Sequence, residues 1–432
     1  MNYQHTLDYL YAQLPMFHRI GPAAYKANLD NTIALADYFD NPQHKFKSIH
    51  IAGTNGKGSV AHMLASVFQE AGYKTGLCTS PHLKDFRERF RINGGIMPEQ
   101  FITDFVNNHK DFFQTLQPSF FELTIAMTFD YFAREKVDIA IIETGLGGRL
   151  DSTNIITPEL SVITNVGLDH TNLLGDTIEA IAKEKAGIIK KGVPVIAGKC
   201  RQEAAIVFEH KAKVANTSIM FADQNYQVVE SAVLVKDNQP FLRLTVNGNG
   251  VLRNVDSALT GTYQLENILT ALAAVDLINR KGNFRIPEEA LKAGLRNVIS
   301  NTGIAGRWQV IERNPLVICD TGHNADGIKS IMENIRQTPH KHLHFVLGMM
   351  NDKDISGILQ LLPCDHTTYY FCRPDVPRGL DTGLLRQTAI DSGLEGKAYS
   401  SVGEALAAAK NAAGRGDLIF VGGSTFVVAE VV

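Results

Sequence analysis

Hydrophobic positions change their spacing along this chain and divide it into elements. Short, mostly apolar and often β-branched runs occur at 49–52, 137–142, 160–164 and 193–197, each bounded by polar residues or glycine. Such runs predict parallel strands buried on both faces, and 74–79 adds another. Between them apolar positions recur every three or four residues. Examples are Val60, Leu64, Val67 and Phe68, then Phe121, Ile125 and, two turns on, Phe132. That spacing predicts helices after 57 and over 98–115, 120–135 and 176–190, with two shorter ones at 4–14 and 26–39. The intervening 19–25 reads as an ordered loop, and 88–94 as a surface strand and turn.

From 200 to 260 the texture changes. Residues 227–235 and 241–246 alternate apolar and polar positions around Asp237-Asn238-Gln239-Pro240. Alternation around a turn predicts an antiparallel hairpin, here a small sheet appended to the parallel one. A helix returns at 263–279. Ser, Asn, Thr and Gly then cluster over 297–306 and predict a domain boundary with a linker. Beyond it, strands at 316–319, 344–347, 368–371 and 417–421 alternate with helices near 325–336, 354–362, 380–392 and 402–413. The expected class is α/β: a phosphate-loop domain with a mostly parallel sheet and a small antiparallel sheet (1–298), then a smaller Rossmann-like α/β domain (299–432). A cleft between two such domains is where substrate is expected.

Composition narrows the partners. Of 432 residues 44% are hydrophobic and 20% charged, as in ordinary globular proteins. A net charge of −3 gives no footprint for nucleic acid or an acidic membrane. Cys78, Cys200, Cys319, Cys364 and Cys372 are scattered without metal-type spacing, which fits reduced thiols and a cytoplasmic location. The first fourteen residues lack the apolar core of a signal peptide, and no stretch approaches a membrane span.

The candidate chemistry lies at the predicted strand ends. Gly53-Thr54-Asn55-Gly56-Lys57-Gly58-Ser59 joins a strand to a helix. Glycines let backbone N–H groups face an anion, the helix N-terminus adds partial positive charge, and Lys57 adds a full one. The loop departs from the common phosphate-loop pattern: two residues separate its outer glycines, and Gly58 stands before Ser59. A tight turn with an incidental lysine is the plainer alternative. Ser80 and His82, in Ser80-Pro81-His82-Leu83, end the next strand, where ligands of open sheets gather; a simple proline turn competes with that reading. Glu143 ends the 137–142 strand and is followed by Gly145-Leu146-Gly147-Gly148-Arg149. A carboxylate there suits Mg2+ beside a triphosphate, with a cap or ion pair as the alternative. His170 follows the 160–164 strand. Lys183 and Lys185, judged by spacing alone, read as the solvated face of a helix.

These blocks, in order, resemble the folylpolyglutamate synthase/dihydrofolate synthase family, a branch of the Mur ligase superfamily. The resemblance runs nearly end to end. Besides the stretches above, it is carried by Thr144, Leu150-Asp151, Leu168-Asp169-His170, Glu184-Lys185-Ala186-Gly187, Gln264-Leu265-Glu266-Asn267, Gly306-Arg307, Asp320-Thr321-Gly322-His323-Asn324 and Asp352-Lys353-Asp354. Thr144 stands where valine is common, and Gly322 and Ala325 replace a usual alanine and proline.

The resemblance implies roles that spacing does not give. Thr54, Asn55, Gly56, Lys57, Gly58 and Ser59 would hold the ATP phosphates, and Asn267, Arg307 and Asp320 would also contact ATP, Arg307 reaching across from the linker. Ser80 and Glu143 would ligate one Mg2+, and His170 a second. Lys185 would carry a carbamate that ligates metal, against its solvated-face reading. His323 and Ser424 would face the incoming glutamate. Pterin contacts would come from Gly21-Pro22-Ala23-Ala24, from 119–122 with Phe121 and Glu122, and from Leu150, Asp151 and Ser152. Lys57, His170, Lys185 and His323 would serve catalysis.

The implied reaction is ATP-dependent joining of L-glutamate to 7,8-dihydropteroate or a reduced folate through an acyl phosphate, by a monomeric enzyme. Two alternatives remain. A cell-wall Mur ligase is disfavoured by the short stretch ahead of the phosphate loop and by the Ser80-Pro81-His82-Leu83 block. A nucleotide switch with a degenerate site is disfavoured by Glu143, His170 and Lys185 occurring together.

Overall fold

The predicted apolar runs assemble into one eight-stranded sheet. Its strands are β1 (Lys47–Ala52), β2 (Thr75–Cys78), β3 (Phe90–Ile92), β4 (Gly95–Ile96), β5 (Ile139–Glu143), β6 (Leu160–Ile163), β7 (Val195–Ala197) and β8 (Ile219–Phe221). Their spatial order is β4-β3-β2-β5-β1-β6-β7-β8. All neighbours run parallel except β2–β3 and β3–β4. β1, at the centre, pairs with β5 on one side and β6 on the other. Parallel strands bring their carboxyl ends to one edge, so the segments after β1, β2, β5 and β6 collect there. This computed structural model describes residues 1–14, 28–237, 239–351 and 354–432. The expected loop at 19–25, the pterin contacts at 21–24, Asn238 of the hairpin turn and Asp352-Lys353 lie wholly or mostly outside the described residues.

Helices cover the sheet as the periodicity predicts. Lys57–Glu70 is buried continuously from Ser59 to Phe68, and Phe120–Arg134 from Glu122 to Phe132. Tyr3–Gln13, Asp30–Tyr38 and Glu99–Leu116 pack with the Phe120–Arg134 helix. An aromatic core including Phe86, Phe90, Phe113, Phe120, Phe129 and Phe132 fills the space beneath them.

Several expectations are corrected. Gln202–Val214 is a helix, buried on Ala204, Phe208 and Ala212, and β8 after it extends the parallel sheet. The antiparallel sheet has three strands rather than a hairpin: β9 (Tyr226–Lys236), β10 (Gln239–Gly248) and β11 (Val251–Ser257), in the order β11-β10-β9. The stretch expected at the surface is a short 3-10 turn, Phe86–Arg89, leading into β3, with Arg89 and Phe90 buried. Part of the expected linker is helical, Val298–Thr302, because Val298 and Thr302 are buried against neighbouring helices.

By packing, the chain forms two units: Met1–Thr260 with Gln264–Gly303, and Gly261–Tyr263 with Ile304–Val432. The second holds β12 (Gln309–Arg313), β13 (Leu316–Cys319), β14 (Leu343–Leu347), β15 (Thr367–Phe371), β16 (Gly396–Ala398) and β17 (Leu418–Gly422), ordered β12-β13-β17-β14-β15-β16. Only β12 is antiparallel to its neighbour. It, β16 and a closing helix at Thr425–Ala429 are not among the expected elements.

Candidate active site

The chain leaves β1 at Ala52 and turns through Gly53-Thr54-Asn55-Gly56 into the Lys57–Glu70 helix. Two glycines make the turn sterically feasible. A Cβ on Gly53 (φ +153°) would lie 1.9 Å from Thr164 Oγ1, and one on Gly56 (φ +84°) 2.2 Å from Asn267 Oδ1. The loop is braced by the segment after β6. Thr54 Oγ1 donates to the Gly167 carbonyl at 3.1 Å and accepts from the Gly167 amide at 3.0 Å. The Asn55 amide donates to Asn165 Oδ1 at 2.8 Å, and Thr164 Oγ1 donates to the Asn55 carbonyl at 2.5 Å. Below, Asn267 Nδ2 donates to Gln264 Oε1 at 2.8 Å, and Gln264 Nε2 donates to Ser59 Oγ at 3.2 Å. Lys57, Gly58 and Ser59 form the first turn of the helix. A braced loop, a helix N-terminus and a lysine together have the chemistry that can hold an anion.

Lys57 Nζ donates to the Gly53 and Thr54 carbonyls at 3.1 and 3.3 Å. Lys185 Nζ reaches the same Gly53 oxygen at 2.9 Å and is only 3% exposed. The solvated-face reading therefore fails for Lys185, while Lys183 is exposed. Two positions, about half a turn of helix, separate surface from core here, because Ile181, Ala182 and Lys185 share the inward face. Burial, and next the Lys57 charge, push the Lys185 ammonium down to about 7; Asp169 and Asp151 pull the other way. Near neutral pH it is thus partly an uncharged amine, a nucleophile rather than a fixed cation.

Glu143 ends β5 at 5% exposure, and its Oε2 accepts from the Ser80 amide at 3.3 Å. Behind them Arg89 is buried, its Nε donating to His82 Nδ1 at 2.7 Å and its guanidinium lying 5.5 Å from the Phe120 ring centre. Burial lowers Arg89 to about 10, with Tyr11, Cys78, Glu143 and Glu88 holding it up. A carboxylate and a hydroxyl residue side by side suit a hard divalent cation. Among the described residues no three His, Cys, Asp or Glu side chains form a ready cage, so a cation would draw further oxygens from phosphate and water. His170, in a left-handed conformation, caps the short Thr171–Leu174 helix; its amide donates to Asp169 Oδ1 at 2.9 Å and its ring lies 3.8 Å from the same oxygen.

The glycines after Glu143 allow two backbones to meet. A Cβ on Gly187 would lie 2.2 Å from Arg149 Cα, and one on Gly148 2.9 Å from the Glu184 carbonyl. The Arg149 guanidinium pairs with Glu184 at 2.9 Å rather than standing ready for an anion. Phe121 packs on Gly145, where a Cβ would lie 2.5 Å from the ring. Glu122 closes a capping box with Ser119 and accepts from Asn31 Nδ2 at 3.3 Å. Asp151 and Ser152 are buried and Leu150 is half-buried; Asp151 caps the Ser152–Ile155 turn.

In the second unit, Asp320 is buried at the end of β13. Its Oδ2 accepts from the Tyr263 hydroxyl at 2.5 Å and the Trp308 amide at 2.8 Å, and its Oδ1 from the Gly322 amide at 2.8 Å. Burial raises its carboxyl above the usual range. Arg307 donates to the Thr321 hydroxyl, His323 Nδ1 lies 3.0 Å from the Thr321 carbonyl, and Ser424 caps the closing helix by accepting from the Val427 amide at 3.2 Å. Thr164, Arg89, Tyr263, Thr153 and His50 act on these groups but were not singled out from sequence. For His50 a signal existed: a polar residue between Ile49 and Ile51 in an apolar strand-forming stretch.

Residues 51–275 match the family described as Mur ligase middle domain, and 306–425 match Mur ligase, glutamate ligase domain. A Bacillus subtilis protein named dihydrofolate synthase/folylpolyglutamate synthase is 31% identical over 408 residues, covering 90% of this chain and 91% of that one. The fold superposes on a Mycobacterium tuberculosis folylpolyglutamate synthase solved with ADP and AMPPCP at a TM-score of 0.87, with 27% identity over 100% of this chain and 98% of that one. Escherichia coli FolC in complex with DHPP and ADP gives 0.83 and 28%, over 100% and 97%.

Proposed function

This chain belongs to the dihydrofolate synthase/folylpolyglutamate synthase branch of the Mur ligases, an ATP-dependent amide-forming class, and from that premise we infer that it joins L-glutamate to 7,8-dihydropteroate, to the γ-carboxylate of reduced folates, or to both. The observation that carries the reading is the meeting of the glycine loop, Lys57 and Lys185 at one carbonyl, at the sheet edge where β5 ends in Glu143 and β2 leads into Ser80.

In the reaction an acceptor carboxylate oxygen attacks the γ-phosphorus of ATP, giving an acyl phosphate and ADP. The glutamate nitrogen then attacks the acyl carbon, phosphate leaves, and the amine loses a proton. Three anionic groups must come together, so positioned positive charge is the main requirement. Thr54 to Ser59 would supply backbone N–H groups and the Lys57 ammonium to the phosphates. Ser80 and Glu143 fit one Mg2+ and His170 would help hold a second; such ions offset phosphate charge. Asn267, Arg307 and Asp320 are assigned to ATP, and His323 and Ser424 to glutamate. Phe121, Glu122, Leu150, Asp151 and Ser152 are assigned to the pteridine acceptor.

Lys185 is assigned a carbamate. Its uncharged amine would attack the carbon of CO2 and release a proton, leaving a carboxylate suited to a cation. The partly neutral, buried amine supports this. Incubation with 13C-bicarbonate should give a carbamate carbonyl signal that Lys185→Arg lacks.

A monomeric cytoplasmic enzyme completes the reading, supported by five unpaired thiols; no described helix is long and apolar enough to cross a membrane. Release of ADP by purified protein, with glutamate and either dihydropteroate or tetrahydrofolate, tests the reading and ranks the acceptors. No ADP with either would sink it.

A further inference from the structure

Position 50 breaks the pattern of its strand. β1 runs through the middle of the sheet, and His50 stands on it wholly buried, opposite Ile142 of β5 and Ser161 of β6. A buried imidazole loses its hydrogen bonds to water and is costly unless they are replaced. Its Nε2 lies 2.7 Å from Thr153 Oγ1, and that hydroxyl lies 2.5 Å from Asp151 Oδ1. Asp151 also accepts from the Leu146 amide at 2.8 Å and the Thr153 amide at 3.0 Å.

Burial raises the Asp151 carboxyl, but the Thr153 hydroxyl and amide on one oxygen and the Leu146 amide on the other work against that and mark an ionised carboxylate, which has no proton to give. The Thr153 proton therefore points to Asp151, and the hydroxyl lone pair faces the ring. His50 must carry its proton on Nε2. Its Nδ1 is then bare, which agrees with that atom being buried without a hydrogen-bond partner. Burial, with Lys190 adding to it, pushes the imidazolium down to about 3, so the ring stays neutral.

We propose that His50 is a positioning residue for the acceptor side of the ligase: through Thr153 it sets the Asp151 carboxylate, and with it the 145–151 loop behind Glu143. The proposal rests on the assignment of Leu150, Asp151 and Ser152 to the pteridine acceptor. β1 then serves two ends of the reaction. Its carboxyl end opens into the phosphate loop, while its side chain at position 50 anchors the loop assigned to the acceptor. Both loops take their position from one strand.

The test uses full-length His50→Leu, His50→Gln and Thr153→Val. Leucine fills the space without a donor; glutamine places an amide N–H near the former Nε2. His50→Leu should raise the acceptor KM about tenfold, roughly the worth of one buried hydrogen bond, with kcat and the ATP KM within about twofold. His50→Gln should restore most of the loss, and Thr153→Val should match His50→Leu without adding to it in the double variant. In the wild type, 15N NMR should show the neutral Nε2–H tautomer. A Nδ1–H tautomer, an unmoved acceptor KM, equal Leu and Gln variants, or an ATP KM rising in step would each overturn the proposal alone. Absence of wild-type turnover would overturn the functional reading and this proposal with it.

Discussion

Lys57 and Lys185, 128 positions apart in sequence, donate to the same oxygen, the carbonyl of Gly53. Two amines on one acceptor repel when both are charged, which is part of why Lys185 sits near neutrality. Removing Lys57 should therefore separate activity from stability. Lys57→Ala should cut kcat by about 10²–10³-fold, the usual scale for losing a preorganised charge at a reacting phosphate. Its thermal midpoint should hold or rise, since the like charge beside buried Lys185 is gone. A falling midpoint would show that Lys57 mainly supports the fold.

Gly53 and Gly72 both have positive φ but differ in surroundings. A Cβ on Gly53 collides with Thr164, whereas nothing lies within 4 Å of one on Gly72. Gly53→Ala should cost about 3 kcal/mol or more from combined strain and overlap, and most of the turnover. Gly72→Ala should cost about 1 kcal/mol and leave turnover intact. Denaturant melts and ADP release on the pair check both halves; equal effects would refute the steric account of the loop.

Thr144 lies next to Glu143 with its hydroxyl buried and without a hydrogen-bond partner. Valine has the same shape and no polar atom. Thr144→Val should stabilise the protein by about 1 kcal/mol, the smaller end of the penalty for an unsatisfied buried group. Chemical denaturation decides it, and a loss of stability would mean that the hydroxyl is bonded after all.

Glu159 gathers Lys47 at 3.0 Å, Asn283 at 2.7 Å and Lys281. Burial alone would raise its carboxyl, but these donors hold it down to about 2 from an ordinary 4.5. A depressed carboxylate gives its full stability above the unfolded value and loses it as pH falls through the folded one. Wild type should thus exceed Glu159→Gln by about 2 kcal/mol at pH 6, with the gap closing between pH 4.5 and 2. A gap that does not change with pH would rule out the linkage.

The fold was legible where burial is two-sided. β5 is a continuous apolar run up to Glu143, and β1 and β6 are mostly apolar, broken by Ser48, His50 and Ser161, because both faces are covered; their ends lead into the motif residues. Gln202–Val214 was missed because its inward face is alanine-rich, while Ile206 and Val214 are exposed and blur the periodicity. β11 was missed because Arg253 and Asp256 occupy it, each bonded to a partner. At the site, Lys57 was legible from local glycines. Lys185 was not: its partner is a carbonyl 132 positions away, and only the resemblance to a family singled it out. The Tyr263–Asp320 bond was hidden for the same reason, since only the fold joins residues 57 positions apart.

Gly261–Tyr263 pack with the second unit although the chain on both sides belongs to the first. The second unit is therefore discontinuous in the gene and in time. During synthesis Tyr263 emerges well before Asp320, the carboxylate that it serves, and 264–303 must find their places in the first unit in between. A polypeptide begun at Ile304 would hold every strand of the second sheet yet lack the phenol that caps Asp320 Oδ2. Gene fusions, split-protein designs and domain swaps among relatives should accordingly carry 261–263 with the second unit, or accept a carboxylate stripped of one of its three donors.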